Sequence, residues 1–213
     1  MEEFDIAIIG GGPAGIMAAI AASADLNIVL LEKNSSLGSK LLITGGGRCN
    51  ITNEKPIKKL LNSFHDKNFL KHSFYTFTNE MLLDLFRNRG LDFIVEDNNR
   101  VFPETEKSQD ILAILKYYLK DITIKYNYEV SDIKKEDNFI INNDIIAEKV
   151  IIATGGATFP KTGSTGDGYY LTGNPVTDIK YGLVPLITKK DLSDIAGITL
   201  YDVCLLYTSD AAD

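Results

Sequence analysis

Cysteine is scarce in this sequence. Cys49 and Cys204 are the two present and no CxxC pair occurs, so no disulfide framework is expected. Histidine is equally scarce. His65 and His72 fall in a region that reads as helical, with no cysteine cluster beside them, so no metal site is expected. Positive charge does not accumulate: the net charge is −7, with acidic and basic residues interleaved. A nucleic-acid surface would need a basic stripe, so no nucleic-acid partner is expected. An anionic ligand stays open, because backbone amides rather than net charge can bind phosphate. Long apolar runs are also missing. The longest helix-like run, Ile16–Ala22, is too short to span a bilayer, so no membrane partner is expected. The chain opens on Met1-Glu2-Glu3 and lacks the basic segment of a secretory signal. These features together read as a cytoplasmic protein.

What is present is ample apolar material, 45% of 213 residues, enough for one domain or one and a half. FDIAII, from Phe4 to Ile9, reads as a buried strand ending at glycines. GPAGIMAAIAASA reads as an Ala-rich helix, and NIVLL, from Asn27 to Leu31, as a second buried strand closed by Glu32. Strand, glycine turn, helix and strand make a βαβ unit and predict a parallel sheet. Residues 34–53 read as a long loop with a glycine cluster, and 57–89 as mostly helical, stopped by Gly90. LDFIVED and RVFP read as strands around Asn98–Asn99. SQDILAILKYYL reads as an amphipathic helix with Ser108 as its candidate N-cap. From Thr123 come short β-type runs with a plausible tight turn at Asn142–Asn143. They predict a small antiparallel meander, at about 122–148, that feeds back into the parallel sheet at Val150–Ala153 and ends in ATGG.

Gly10, Gly12 and Gly15 form a G-x-G-x-x-G pattern. Gly10 permits a tight turn, Gly12 lets backbone approach a pyrophosphate, and Gly15 lets helix and strand pack closely. Pro13 falls where a helix needs no N–H, and the helix N-terminus then offers free amides to phosphate. Glu32, 17 residues beyond Gly15, is placed to accept both ribose hydroxyls and to repel a 2′-phosphate. The turn alone does not separate FAD from NAD. After Glu32 a plain NAD domain would start another strand-helix unit promptly, whereas here a second glycine-rich loop follows, Thr44–Asn50. Its three successive glycines allow backbone to lie against a flat or charged ligand, and Arg48 can pair with a phosphate or polarise a carbonyl.

The order of dinucleotide turn, meander and ATG-type strand end resembles FAD-binding domains of the glutathione-reductase type. That resemblance implies that Val130 hands backbone hydrogen bonds to adenine and that the turn at Thr154, Gly155 and Gly156 lies over the cofactor. Three long motifs, ITGGGRCNITN, RVFPETEKSQDIL and FPKTGSTGDGYYL, narrow it. Over about residues 4–190 the chain resembles the BaiN/YhiN-like, aminoacetone-oxidase-like flavoproteins. The resemblance implies an α/β fold: a glutathione-reductase-type Rossmann domain with a small antiparallel meander. It implies an FAD-dependent oxidoreductase working by hydride transfer through the flavin N5 to or from a small organic substrate, with NAD(P)H as a possible electron donor. FAD would be held by Gly10, Gly12, Pro13, Ala14 and Gly15 at the first turn, and by Glu32, Lys33 and Lys40 beyond the second strand. Gly46, Arg48, Cys49 and Asn50 would sit near the flavin end. Phe102, Thr165 and Asp167 would border the substrate. No residue stands out as catalytic acid or base.

Bland readings stand beside these. Cys49 reads more readily as a packed core thiol than as a redox partner of Cys204. Phe102 can simply close a strand that Pro103 stops, TGSTGD can be a plain loop, and Tyr117, Tyr118, Tyr169 and Tyr170 read as packing or surface residues. Compared with the family pattern, the stretch between GDGYYL and LVPL is short and has no histidine. The resemblance also implies a second, β-rich domain after LVPL, which residues 191–203 would begin. Residues 204–213 continue no earlier pattern and are expected to be a non-native tail. The alternatives are an NAD-binding dehydrogenase domain, an RNA-modifying flavoenzyme, which should show a basic surface, and an inert, incomplete FAD-binding module.

Overall fold

The computed structural model describes residues 1–22 and 25–179. All elements below belong to one unit, Met1–Pro175. Strand β1 (Glu2–Ile9) runs into helix α1 (Pro13–Ala22), which returns to β2 (Ile28–Leu31). All four residues of β2 are buried, as a strand covered on both faces requires. The β1–β2 pair is parallel, with Ile6 opposite Ile28 and Ile9 opposite Leu31. The expected βαβ unit is therefore present.

Two short strands, β3 (Thr52–Asn53) and β4 (Phe93–Glu96), flank β5 (Arg100–Pro103) in a separate antiparallel sheet of three strands. The helical stretch between β3 and β4 is divided into α2 (Ile57–Leu61), α3 (Lys67–Thr76) and α4 (Asn79–Arg87). The divisions have local causes: the Asp66 carboxylate accepts from the Phe69 N–H and the Thr78 hydroxyl from the Met81 N–H, each capping a new helix. Gly90, at φ +78°, ends the last.

Helix α5 (Ser108–Tyr118) follows. Ser108 is not its cap. The capping position is Lys107, and the buried Ser108 hydroxyl instead donates to the Leu42 carbonyl at 2.9 Å. A hydroxyl with no water within reach takes whatever acceptor packs on it, and here that is the loop before the glycine cluster.

Strand β6 (Thr123–Lys125) corrects the meander. It is no part of the antiparallel run; it pairs parallel with β2, Val29 opposite Thr123, at the far edge of the large sheet. Three alternating residues fit either kind of edge equally well, and the vacant flank of buried β2 decides. The true meander is β7 (Ile133–Lys135), β8 (Phe139–Ile141) and β9 (Ile145–Ile152), with Asn142 and Asn143 at positive φ in the tight turn between β8 and β9. DIIAE and KVIIA are thus one continuous strand. It pairs parallel with β1 from Glu2–Ile145 to Ile9–Ile152, giving the order β6-β2-β1-β9-β8-β7.

Alternation divides the core by sheet face. Ile6, Ile8, Ile28 and Leu30 face α1 and α5, packing on Ile16, Ala19, Ile111 and Leu115. Ala7, Ile9, Val29 and Leu31 face the other way, onto Val130, Ile141, Ile145 and Ala147. Among the described residues no helix is long and apolar enough to cross a membrane. The LVPL stretch, residues 191–203, residues 204–213 and Cys204 lie outside the described residues. The final helix is α6 (Asp167–Leu171).

Candidate functional site

β1, β2 and β9 are parallel and end side by side, so the chain leaves all three at one edge of the sheet. There it forms an open cleft, with about 790 Å³ of atom-free space in and in front of it. This is the edge at which open α/β sheets bind ligands. The turn after β1 is fixed from both sides: Gly10 N–H donates to Leu31 O at 2.8 Å, and Ala153 N–H to Ile9 O at 2.8 Å.

The glycines of the turn differ in what surrounds them. A Cβ on Gly10, which has φ +106°, would lie 2.5 Å from Ala153 O, and one on Gly15 would lie 1.8 Å from Gly10 O. Gly11 was not expected to matter, yet a Cβ there would lie 2.3 Å from the Leu37 side chain and 2.8 Å from the Glu32 carboxylate. Its N–H donates to Glu32 Oε2 at 2.7 Å. A Cβ on Gly12 would meet nothing within 4 Å. Gly12 lines the cleft with Pro13 and Ala14 at the start of α1, so its bare backbone faces open space in front of the helix N-terminus. That is the arrangement that admits a phosphate to free amides.

Glu32, at the end of β2, is 6% exposed and lines the same cleft. Its Oε1 accepts from Asn34 N–H at 2.7 Å. Beyond it, three side chains reach across to the segment after β9. Lys33 Nζ donates to Asp167 Oδ2 and to Thr165 Oγ1, each at 2.6 Å. Asn34 Nδ2 donates to Thr162 O at 3.2 Å, and Lys40 Nζ to Thr158 O at 2.7 Å. Burial would raise the Asp167 carboxyl, but the hydrogen bonds from Lys33 and Thr165 outweigh it and hold the group below the ordinary aspartate value.

Of the residues singled out from sequence, Gly10, Gly12, Pro13, Ala14, Glu32, Lys33, Lys40, Val130, Thr154, Gly155 and Asp167 line the cleft. Gly15 sits behind it, packing α1 on β1. Gly46, Arg48, Cys49, Asn50, Phe102, Gly156 and Thr165 are not among its lining. Arg48 is occupied: its Nη1 donates to Glu96 Oε1 at 2.6 Å and to Glu106 Oε1 at 2.8 Å, and its guanidinium lies 4.1 Å over the Phe102 ring. The bond from Arg48 holds the Glu96 carboxyl below its usual range. Arg48 thereby ties the glycine loop to the β4–β5 hairpin. Gly45, at φ +57°, packs beside it, where a Cβ would lie 2.9 Å from Phe102. Cys49 is buried, and burial pushes its thiol up despite a hydrogen bond with Thr44.

Sequence reasoning missed Gly11, Asn34, Gly38 and Tyr128, of which all but Gly11 line the cleft. Gly163 and Ser164 also line it, within the TGSTGD stretch, Thr162–Asp167, that the sequence singled out as lying near the flavin or substrate. Tyr128 lies two residues before Val130 and lines the same cleft.

Comparison with known proteins bears on the family and the fold. A family model described as the HI0933-like protein Rossmann domain matches residues 4–182. The chain is 32% identical over 197 residues to a 3-dehydro-bile acid delta(4,6)-reductase of Clostridium scindens, a match over 87% of this chain and 48% of the relative. It is 30% identical over 218 residues to a ribosomal RNA dihydrouridine synthase of Escherichia coli, over 95% of this chain and 54% of the relative. The chain thus spans about half the length of these relatives. Among solved structures, the open conformation of a flavocytochrome c3 fumarate reductase superposes with TM-score 0.61 at 19% identity, over 81% of this chain and 40% of that one. At that identity the likeness is one of fold.

Proposed function

The chain belongs to the HI0933-like family of Rossmann domains, the family its three motifs resembled, and on that premise we propose that it binds FAD and forms the cofactor-binding part of a flavin-dependent oxidoreductase. One observation carries the reading. Backbone leaves a side chain no room at Gly10 or Gly15, whereas Gly12 stands open before the N-terminus of α1 and lines the same cleft as the Glu32 carboxylate. These residues fit an adenine dinucleotide: amides at the start of α1 for the pyrophosphate, a carboxylate for two ribose hydroxyls, and an apolar wall at Val130 for the base. Lys40 adds positive charge to the cleft. Lys33, bound to Asp167 and Thr165, fixes the segment that faces it. Gly46, Arg48, Cys49 and Asn50 lie outside the cleft's lining; we assign the glycine loop that carries them to the flavin end, with Arg48 anchoring that loop to the β4–β5 hairpin.

FAD, when bound, supplies hydride transfer at its N5 to or from a small organic substrate. One relative is named a reductase, and this supports electron flow towards the substrate; NAD(P)H is the electron donor we propose. Phe102, Thr165 and Asp167 are proposed to border the substrate. A small molecule rather than RNA is supported by the net charge of −7.

The test is to purify the protein, record its absorbance, denature it and chromatograph the released ligand. Retained bands at roughly 370 and 450 nm, with FAD released, support the proposal. A colourless protein that saturates with NAD instead would establish the dehydrogenase alternative, and one that holds neither would make the chain an inert module.

A further inference from the structure

Two walls of the cleft are held in different ways. Leu37 and Leu41, in the wall that follows β2, are buried in the core. The wall tied to it is the segment between β9 and α6, residues 155–166. Its apolar side chains, Ala157, Phe159 and Pro160, are all exposed, and only Ser164 and Gly166 in it are buried. Polar ties hold it instead: Lys33 to Thr165 and Asp167, Asn34 to Thr162 O, and Lys40 to Thr158 O. Lys33, Asn34 and Lys40 line the cleft from the first wall, and Thr162, Gly163, Ser164 and Asp167 from the second, so the ties join wall to wall. Such ties are weak. The Lys33 and Asp167 side chains remain 22% and 27% exposed.

The ends of the segment are fixed close together. Ala153 N–H donates to Ile9 O at 2.8 Å, and Gly168 N–H to Thr154 Oγ1 at 3.0 Å. A loop closed on itself in this way can move without disturbing the elements it joins. Gly155, at φ +77°, and Gly166, at φ +85°, stand at its two ends, where glycine leaves and re-enters the left-handed region freely. Between them Phe159 is exposed and sits at φ +54°, which a bulky residue adopts only under constraint. Lys40 holds the carbonyl just before it. Release of the ties therefore also relaxes strain.

We propose that residues 155–166 form a movable wall of the cleft, latched by Lys33, and that its release lets a dinucleotide enter and leave. This rests on the reading of the cleft as a cofactor site and goes beyond it by naming the part that moves and what holds it shut. Segments with few buried apolar contacts open more readily than the rest of a fold, and here that segment is one side of the site.

Hydrogen exchange and stopped-flow binding of FAD test this on the wild type and on Lys33→Met, which keeps the stem and loses the charge. Without ligand, amides of residues 155–166 should exchange roughly fivefold faster in Lys33→Met, the fold-change of one partly exposed pair. Amides of β1, β2 and β9 should exchange as before. With FAD, association and dissociation should both quicken by a similar factor, so that affinity moves little. Loss of a cation by itself slows association of an anionic ligand, so faster association reports the wall. Lys40→Met should move the same amides and rates in the same direction. Faster dissociation alone would make Lys33 a ligand contact and overturn the inference. So would unchanged exchange in the loop, or faster exchange across the whole sheet, which means a merely structural role. FAD rates that stay unchanged while the loop exchanges faster would overturn the gate and leave the cofactor reading intact. A wild type that does not bind FAD would overturn that reading and the gate with it.

Discussion

Glu32 and Gly11 are joined by a 2.7 Å hydrogen bond, from the amide of the glycine turn to the carboxylate at the end of β2. The other carboxylate oxygen holds Asn34 N–H at the same distance. One side chain thus organises the turn after β1 and the start of the segment that crosses the cleft.

Glu32→Gln separates these roles from charge. An amide offers one oxygen and one NH₂, so one of the two backbone donors must face a donor. Unfolding free energy should fall by about 1–3 kcal/mol in urea denaturation, and FAD affinity by roughly tenfold. Unchanged values for both would show that the carboxylate is incidental.

Gly15→Ala should be severe. Its Cβ would lie 1.8 Å from Gly10 O, a backbone atom with no rotamer to escape into. A loss of roughly 3 kcal/mol or more is expected from denaturant titration, or failure to accumulate folded protein. A variant as stable as the parent would contradict the close packing of α1 on β1.

Asp167 makes part of the stability pH-dependent. Its folded pKa is held below the unfolded value of about 3.9. The ion pair with Lys33 therefore contributes fully above that value and is lost as pH falls through the folded one. Melting temperatures between about pH 6 and 3 should fall more steeply for the wild type than for Asp167→Asn. The two should differ by about 1 kcal/mol near neutrality, as a partly exposed pair allows. Parallel acid limbs would mean that the pair does not couple to folding.

Cys49 should be inert. In a Cys204→Ser background it is the single thiol, buried and with its pKa pushed up. Disulfide reagents near neutral pH should label it roughly 100-fold more slowly in the folded than in the denatured protein. Rapid native labelling would revive a redox role for it.

The βαβ unit, the glycine turn and the place of Glu32 were legible because each depends on neighbours in sequence: short continuous apolar runs, glycines at fixed offsets, an acid closing a strand. What was not legible depends on distant partners. Thr123–Lys125 alternates like any short strand, and only the vacant flank of β2 makes it a parallel edge. Arg48 reads as a free cation until Glu96 and Glu106 fold onto it. Lys33 meets Asp167 across 134 residues of chain. Tyr128 is one tyrosine of ten, with no local signature to separate it from the others. Gly11 was hidden by the pattern itself, which assigns tasks to three glycines and leaves the fourth as filler.

The central claim is that bare backbone at Gly12 admits the cofactor's phosphates. Its most direct test is a fluorescence titration of FAD with the wild type and with Gly12→Val. A Cβ at Gly12 meets no protein atom within 4 Å, so the variant should fold and melt like the parent. Saturable quenching of FAD by the wild type, lost in a normally folded Gly12→Val, is the predicted result. Equal FAD binding by both proteins would contradict the account.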